Sequence, residues 1–99
     1  MNIQKMMKDL QKMQEKLQTE MDELEVEASA GGGVVTARMN GKKELISLTL
    51  AREAITPDDP ELLQDLVLAA VNEAGRKVDG ELKRLTQGMA GGLRIPGLS

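Results

Sequence analysis

Apolar residues recur at spacings of three and four from the start of the chain: Ile3, Met6, Met7, Leu10, Met13, Leu17, Met21 and Leu24, with neither Gly nor Pro among them. That spacing predicts one amphipathic helix over residues 3–24. Ile3, Leu10, Leu17 and Leu24 also keep a seven-residue repeat, with Met6 and Met13 as its second apolar line. At ~100° per residue the eight side chains span an arc of roughly 120°. The helix would be about 33 Å long, too long to lie buried across a small domain, so part of it should project or pack on a partner.

The period then changes to two. Glu25–Ala30 alternates acid or hydroxyl with apolar residues, as a half-buried strand does. Gly31-Gly32-Gly33 breaks it with a turn that tolerates positive φ. Val34–Met39 is rich in β-formers, with Val35, Ala37 and Met39 on one face. Asn40-Gly41 is a strong hairpin signal, and Lys43–Ala51 returns with Ile46, Leu48 and Leu50 inward and Leu45, Ser47 and Thr49 opposite. Thr56–Glu61 reads as a helix start. Asp58 or Asp59 can cap, Pro60 suits the first turn, and Glu61 complements the dipole. A second helix is predicted to about Thr86, with Gly75 and Gly80 inside it as either close-packing positions or weak points. The order is α-β-β-β-α: an α+β unit with a three-stranded antiparallel sheet and two long helices. Residues 1–87 form the expected domain, and 88–99, rich in Gly and Pro, a mobile tail.

Composition sharpens this picture. Ninety-nine residues without Phe, Tyr or Trp make a slim core, and small domains of that kind commonly gain stability by associating. With no Cys there is neither disulfide nor thiolate metal site. His and Tyr are absent too, so the usual general bases and nucleophiles are missing and no enzyme is expected. No cofactor or metal is expected either. The carboxylates Asp58, Asp59 and Glu61 read as helix capping before they read as a cation site. No apolar run reaches the ~20 residues of a membrane span, and the N-terminus lacks a signal-peptide core, so a cytoplasmic location is the expectation.

Net charge is −3, but the charges are segregated. Lys5, Lys8, Lys12 and Lys16 dominate the first helix's N-terminal part. Glu20, Asp22, Glu23, Glu25 and Glu27 follow without a base. Asp58, Asp59, Glu61, Asp65 and Glu73 form a second acidic block, and Arg76, Lys77, Lys83 and Arg84 a second basic one. The four Lys of the first helix fall within an arc of about 80°, centred roughly 150° from the apolar arc. They form either a solvated face or a surface for phosphates, which Lys contacts as a point charge without reading sequence. Without aromatic side chains to stack bases, a nucleic-acid partner should be duplex DNA held by its backbone. No short recognition helix of the helix-turn-helix kind is present, so sequence specificity should be low.

Four segments together resemble the YbaB/EbfC family of nucleoid-associated proteins. They are Val26–Val35 (VEASAGGGVV), Asn40-Gly41 with the strand to Leu50, Glu61–Ala74 (ELLQDLVLAAVNEA) and Gly91–Leu98 (GGLRIPGL). The resemblance implies a homodimer whose sheets join and whose helices project like the arms of a tweezer. It also implies DNA binding of low specificity and a place in the nucleoid, in its organisation or in gene regulation. Gly75, Gly80 and the acidic middle segments depart from the family's pattern. The expected DNA-binding residues are Lys5, Lys8, Lys12 and Lys16, with Arg76, Lys77, Lys83 and Arg84 nearby. The competing expectation is a protein-interaction scaffold or adaptor that does not touch DNA.

Overall fold

A computed structural model describes residues 2–92, the side chains of 88–92 excepted. Helix α1 spans Ile3–Glu23, strands β1, β2 and β3 span Glu25–Ala30, Val35–Asn40 and Leu45–Leu50, a 3-10 turn covers Arg52–Ala54, and helix α2 spans Pro60–Gly92. The α-β-β-β-α order is the expected one. The sheet is antiparallel in the order β1-β2-β3.

α1 starts where the Asn2 side chain accepts hydrogen bonds from the Gln4 and Lys5 amides, a cap that occupies two otherwise unpaired donors. α2 starts with Asp59, not Asp58, as its cap: its carboxylate accepts from the Leu62 amide at 3.1 Å. α2 then runs through Gly75 and Gly80 to Gly92, past the end expected near Thr86 and past the boundary expected after residue 87. Gly75 lies under the Lys43 side chain, whose Cε would sit 3.5 Å from an added β-carbon, whereas nothing lies within 4 Å of one at Gly80. The remainder of the expected tail, residues 93–99, lies outside the described residues.

The core is one seam between α2 and two strands. Ala70, Ala74 and Val78, one turn apart, meet Ala28 of β1 and Val35, Ala37 and Met39 of β2. Small residues on both sides let helix and sheet approach closely, and Val35 and Val78 are the largest fully buried side chains. The pairs Ala28↔Ala37 and Val26↔Met39 confirm the faces read from the alternation in β1 and β2.

β3 departs from its expected alternation. Arg38 lies opposite Ser47 and Met39 opposite Leu45, so Ile46 is an extra residue. This bulge brings Leu45 onto the face of Met39 and Leu48 rather than that of Ser47 and Thr49, because each inserted residue inverts the alternation beyond it. α2 packs on β1 and β2 and leaves β3 uncovered. Leu45, Ile46 and Leu48 are 45%, 46% and 37% exposed.

The molecule is drawn out. Its radius of gyration is 19.4 Å and its extents 70 × 26 × 15 Å, against about 13 Å for a compact chain of ~100 residues. α1 has no buried residue. It meets α2 near its end, where Glu20, Glu23 and Leu24 share a groove with Glu25, Arg84 and Leu85.

Candidate nucleic-acid interface

The basic stripe of α1 follows from its helical register. Lys5, Lys8, Lys12 and Lys16 are spaced by three, four and four residues, so they rise along one face over about 17 Å at ~1.5 Å per residue. All four are exposed. Among the described residues none of them takes part in an ion pair. Half-buried Met13, Leu17 and Met21 mark the opposite, packing face. Toward the N-terminus that face is bare: Ile3, Met6, Met7 and Leu10 are 69%, 52%, 59% and 44% exposed.

The basic block of α2 is arranged differently. Arg76 pairs with Glu73 at 2.8 Å and Arg84 with Glu81 at 2.7 Å, each one turn back along the helix. Both pairs are exposed, so they tether the guanidinium groups weakly. Lys77 donates to the main-chain carbonyl of Glu27 at 2.8 Å. Lys83 is exposed and makes no ion pair among the described residues. The eight expected residues therefore divide into five unpaired ammonium groups and three cations engaged by the chain's own acceptors.

Nor do the eight form one patch. Arg84 alone of the α2 group lines the groove where α1 and α2 meet, in the company of Glu20, Glu23 and Glu25. Sign is thus sorted by position: carboxylates gather where α1 joins the sheet, and ammonium groups lie farther along α1. A phosphate chain is repelled at the first place and attracted at the second.

Lys42 and Arg52 are two further exposed cations without an ion pair among the described residues. The available signal was the Lys42-Lys43 pair after Asn40-Gly41. The structure separates these neighbours: Lys43, at φ 62, turns toward α2 and meets Asp79 at 3.2 Å. Asp59 is committed to its cap, and no group of three or more carboxylates that could hold a metal ion occurs among the described residues. No described helix is long and apolar enough to cross a membrane.

Comparison with known proteins adds four findings. The profile of the YbaB/EbfC DNA-binding family matches residues 1–93. A nucleoid-associated protein of Alkaliphilus metalliredigens is 49% identical over 97% of this chain and 81% of its own length. One of Clostridium novyi is 48% identical over 99% and 89%. Among solved structures, an uncharacterized protein of Helicobacter pylori superposes with a TM-score of 0.69 at 24% identity, covering 90% of this chain and 97% of that one. That likeness extends the shared architecture to a distant sequence.

Proposed function

The chain belongs to the YbaB/EbfC DNA-binding family, and from that premise we propose that it is a nucleoid-associated protein that binds duplex DNA with low sequence specificity as a homodimer. It acts by binding, without catalysis, and works at the nucleoid in the cytoplasm. The observation that carries this reading is the α1 stripe: four exposed, unpaired Lys on one face of a helix that extends from the sheet.

Ammonium groups on flexible stems contact phosphates and displace their counterions, which supplies affinity that ignores base identity. The chain lacks the aromatic side chains that stack unpaired bases, which favours duplex over single strands. Lys5, Lys8, Lys12 and Lys16 are the principal contacts, with Lys83 in support. Arg76, Lys77 and Arg84 contribute less because the chain's own oxygens engage them. Two copies joined through their sheets present the stripe twice.

The test is anisotropy of a labelled random-sequence duplex, titrated with protein at several salt concentrations. Eight phosphate contacts per dimer correspond to a log–log slope of about −7, at ~0.9 per contact. The combined change Lys5→Glu, Lys8→Glu and Lys12→Glu is expected to abolish measurable binding while the assembly state stays the same. Unchanged affinity would refute the assignment. The adaptor reading draws on the bare stripe of Ile3, Met6, Met7 and Leu10, and it gains ground if the wild type fails to bind even at low salt.

A further inference from the structure

The two free edges of the sheet are not alike. With the order β1-β2-β3, both β1 and β3 are edge strands. Each presents main-chain groups that another strand could pair with. Along β1 one acceptor is taken: the Lys77 ammonium reaches down from α2 and donates to the Glu27 carbonyl at 2.8 Å. β1 also carries the exposed carboxylates Glu25 and Glu27. A second β1 laid antiparallel beside it would bring like charges into cross-strand positions. β3 is the converse. From Leu45 to Leu50 it carries no charge, and Leu45, Ile46 and Leu48 stand exposed along it. Among the described residues no side chain hydrogen-bonds to its main chain.

We propose that Lys77 closes the β1 edge and so confines the joining of sheets to β3. This rests on the homodimer reading above and decides its geometry. A sheet with two open edges can add copies at both and grow into a ribbon, whereas one with a single open edge is finished once two copies meet across a two-fold axis. Lys77 then serves assembly more than DNA. A Lys at that position suits the task, because a strand pairing there must either break its bond to the Glu27 carbonyl or bury the ammonium group beneath it.

The experiment compares wild type, Lys77→Met and Lys77→Arg by sedimentation over a wide range of protein concentration. Moderate salt screens repulsion between exposed carboxylates. Met keeps the length of the side chain and suits a helix but cannot donate, while Arg can. Far-UV circular dichroism verifies that each variant is folded. Wild type and Lys77→Arg are expected to stop at the mass of two copies, and Lys77→Met to reach at least double that mass as concentration rises.

The chain has no Cys, so single introduced thiols report each edge cleanly. Thr49→Cys in β3 is expected to cross-link wild-type pairs. Ser29→Cys in β1 is expected to cross-link only when combined with Lys77→Met. If Lys77→Met matches the wild-type mass throughout and Ser29→Cys does not cross-link in it, the proposal is overturned. Wild type that sediments as one copy and does not cross-link through Thr49→Cys refutes the homodimer reading instead, a separately visible result.

Discussion

Gly41 illustrates how a residue can be right for a reason other than its motif. Asn-Gly pairs suit two-residue hairpin turns through positive φ, yet here the positive φ belongs to Lys43, two positions on. The loop is longer, and the Asn40 side chain holds it by accepting from the Lys42 and Glu44 amides. Gly41 is needed because the turn presses against the end of α1: an added β-carbon would collide with the Met21 carbonyl oxygen. Gly41→Ala is therefore expected to cost about 1–3 kcal/mol, as other overpacked sites do. It should appear as a lower urea midpoint with an unchanged m-value. The Gly31–Gly33 turn follows the plainer logic, with φ of 65°, 73° and 98°.

At the scale of elements, α1 and α2 carry similar cations in different states. Every Lys in the α1 stripe points to solvent unpaired, whereas Arg84 in α2 lies beside Glu81 and shares a groove with Glu20, Glu23 and Glu25. Removing a phosphate contact lowers the salt slope of DNA binding by about one. Lys12→Ala should thus lower the slope by about two per dimer. Arg84→Ala should leave it within error, because a phosphate at that groove would meet several carboxylates. Salt titrations of the two variants on one duplex separate these outcomes, and equal losses would merge the two helices into a single DNA surface.

For the whole molecule, the small size of the core is the governing fact. Its buried members are Ala28, Val35, Ala37, Met39, Ala54, Ala70, Ala74 and Val78, five of them Ala, so burial stabilises one copy only modestly. The leucines and isoleucine of β3 stay in water until something covers them. Joining two copies there would bury that surface and couple folding to association. The expected consequence is a melting temperature that rises with protein concentration, measurable by calorimetry over a hundredfold range. A melting temperature independent of concentration would mean that one copy is stable alone.

The linear pattern was enough for the order of elements, the faces of α1, β1 and β2, the acidic start of α2 and the Lys stripe. These depend on contacts between near neighbours, and periods of 3.6 and 2 record them directly. Segments of the chain also resembled a DNA-binding family, and the match over residues 1–93 bears that out. Tertiary structure decided what depends on residues far apart in the chain. It placed an extra residue at Ile46, which swung Leu45 to the other face, and it gave Gly41 its neighbour in α1. It carried α2 across Gly75 and Gly80, since Ala70, Ala74 and Val78 anchor the helix on the sheet and outweigh a glycine cost of ~1 kcal/mol each. It also tied Lys77 to Glu27, fifty residues away. Spacing along a helix cannot distinguish a cation that faces solvent from one held by a distant carbonyl, because that partner is supplied only when helix and sheet pack together.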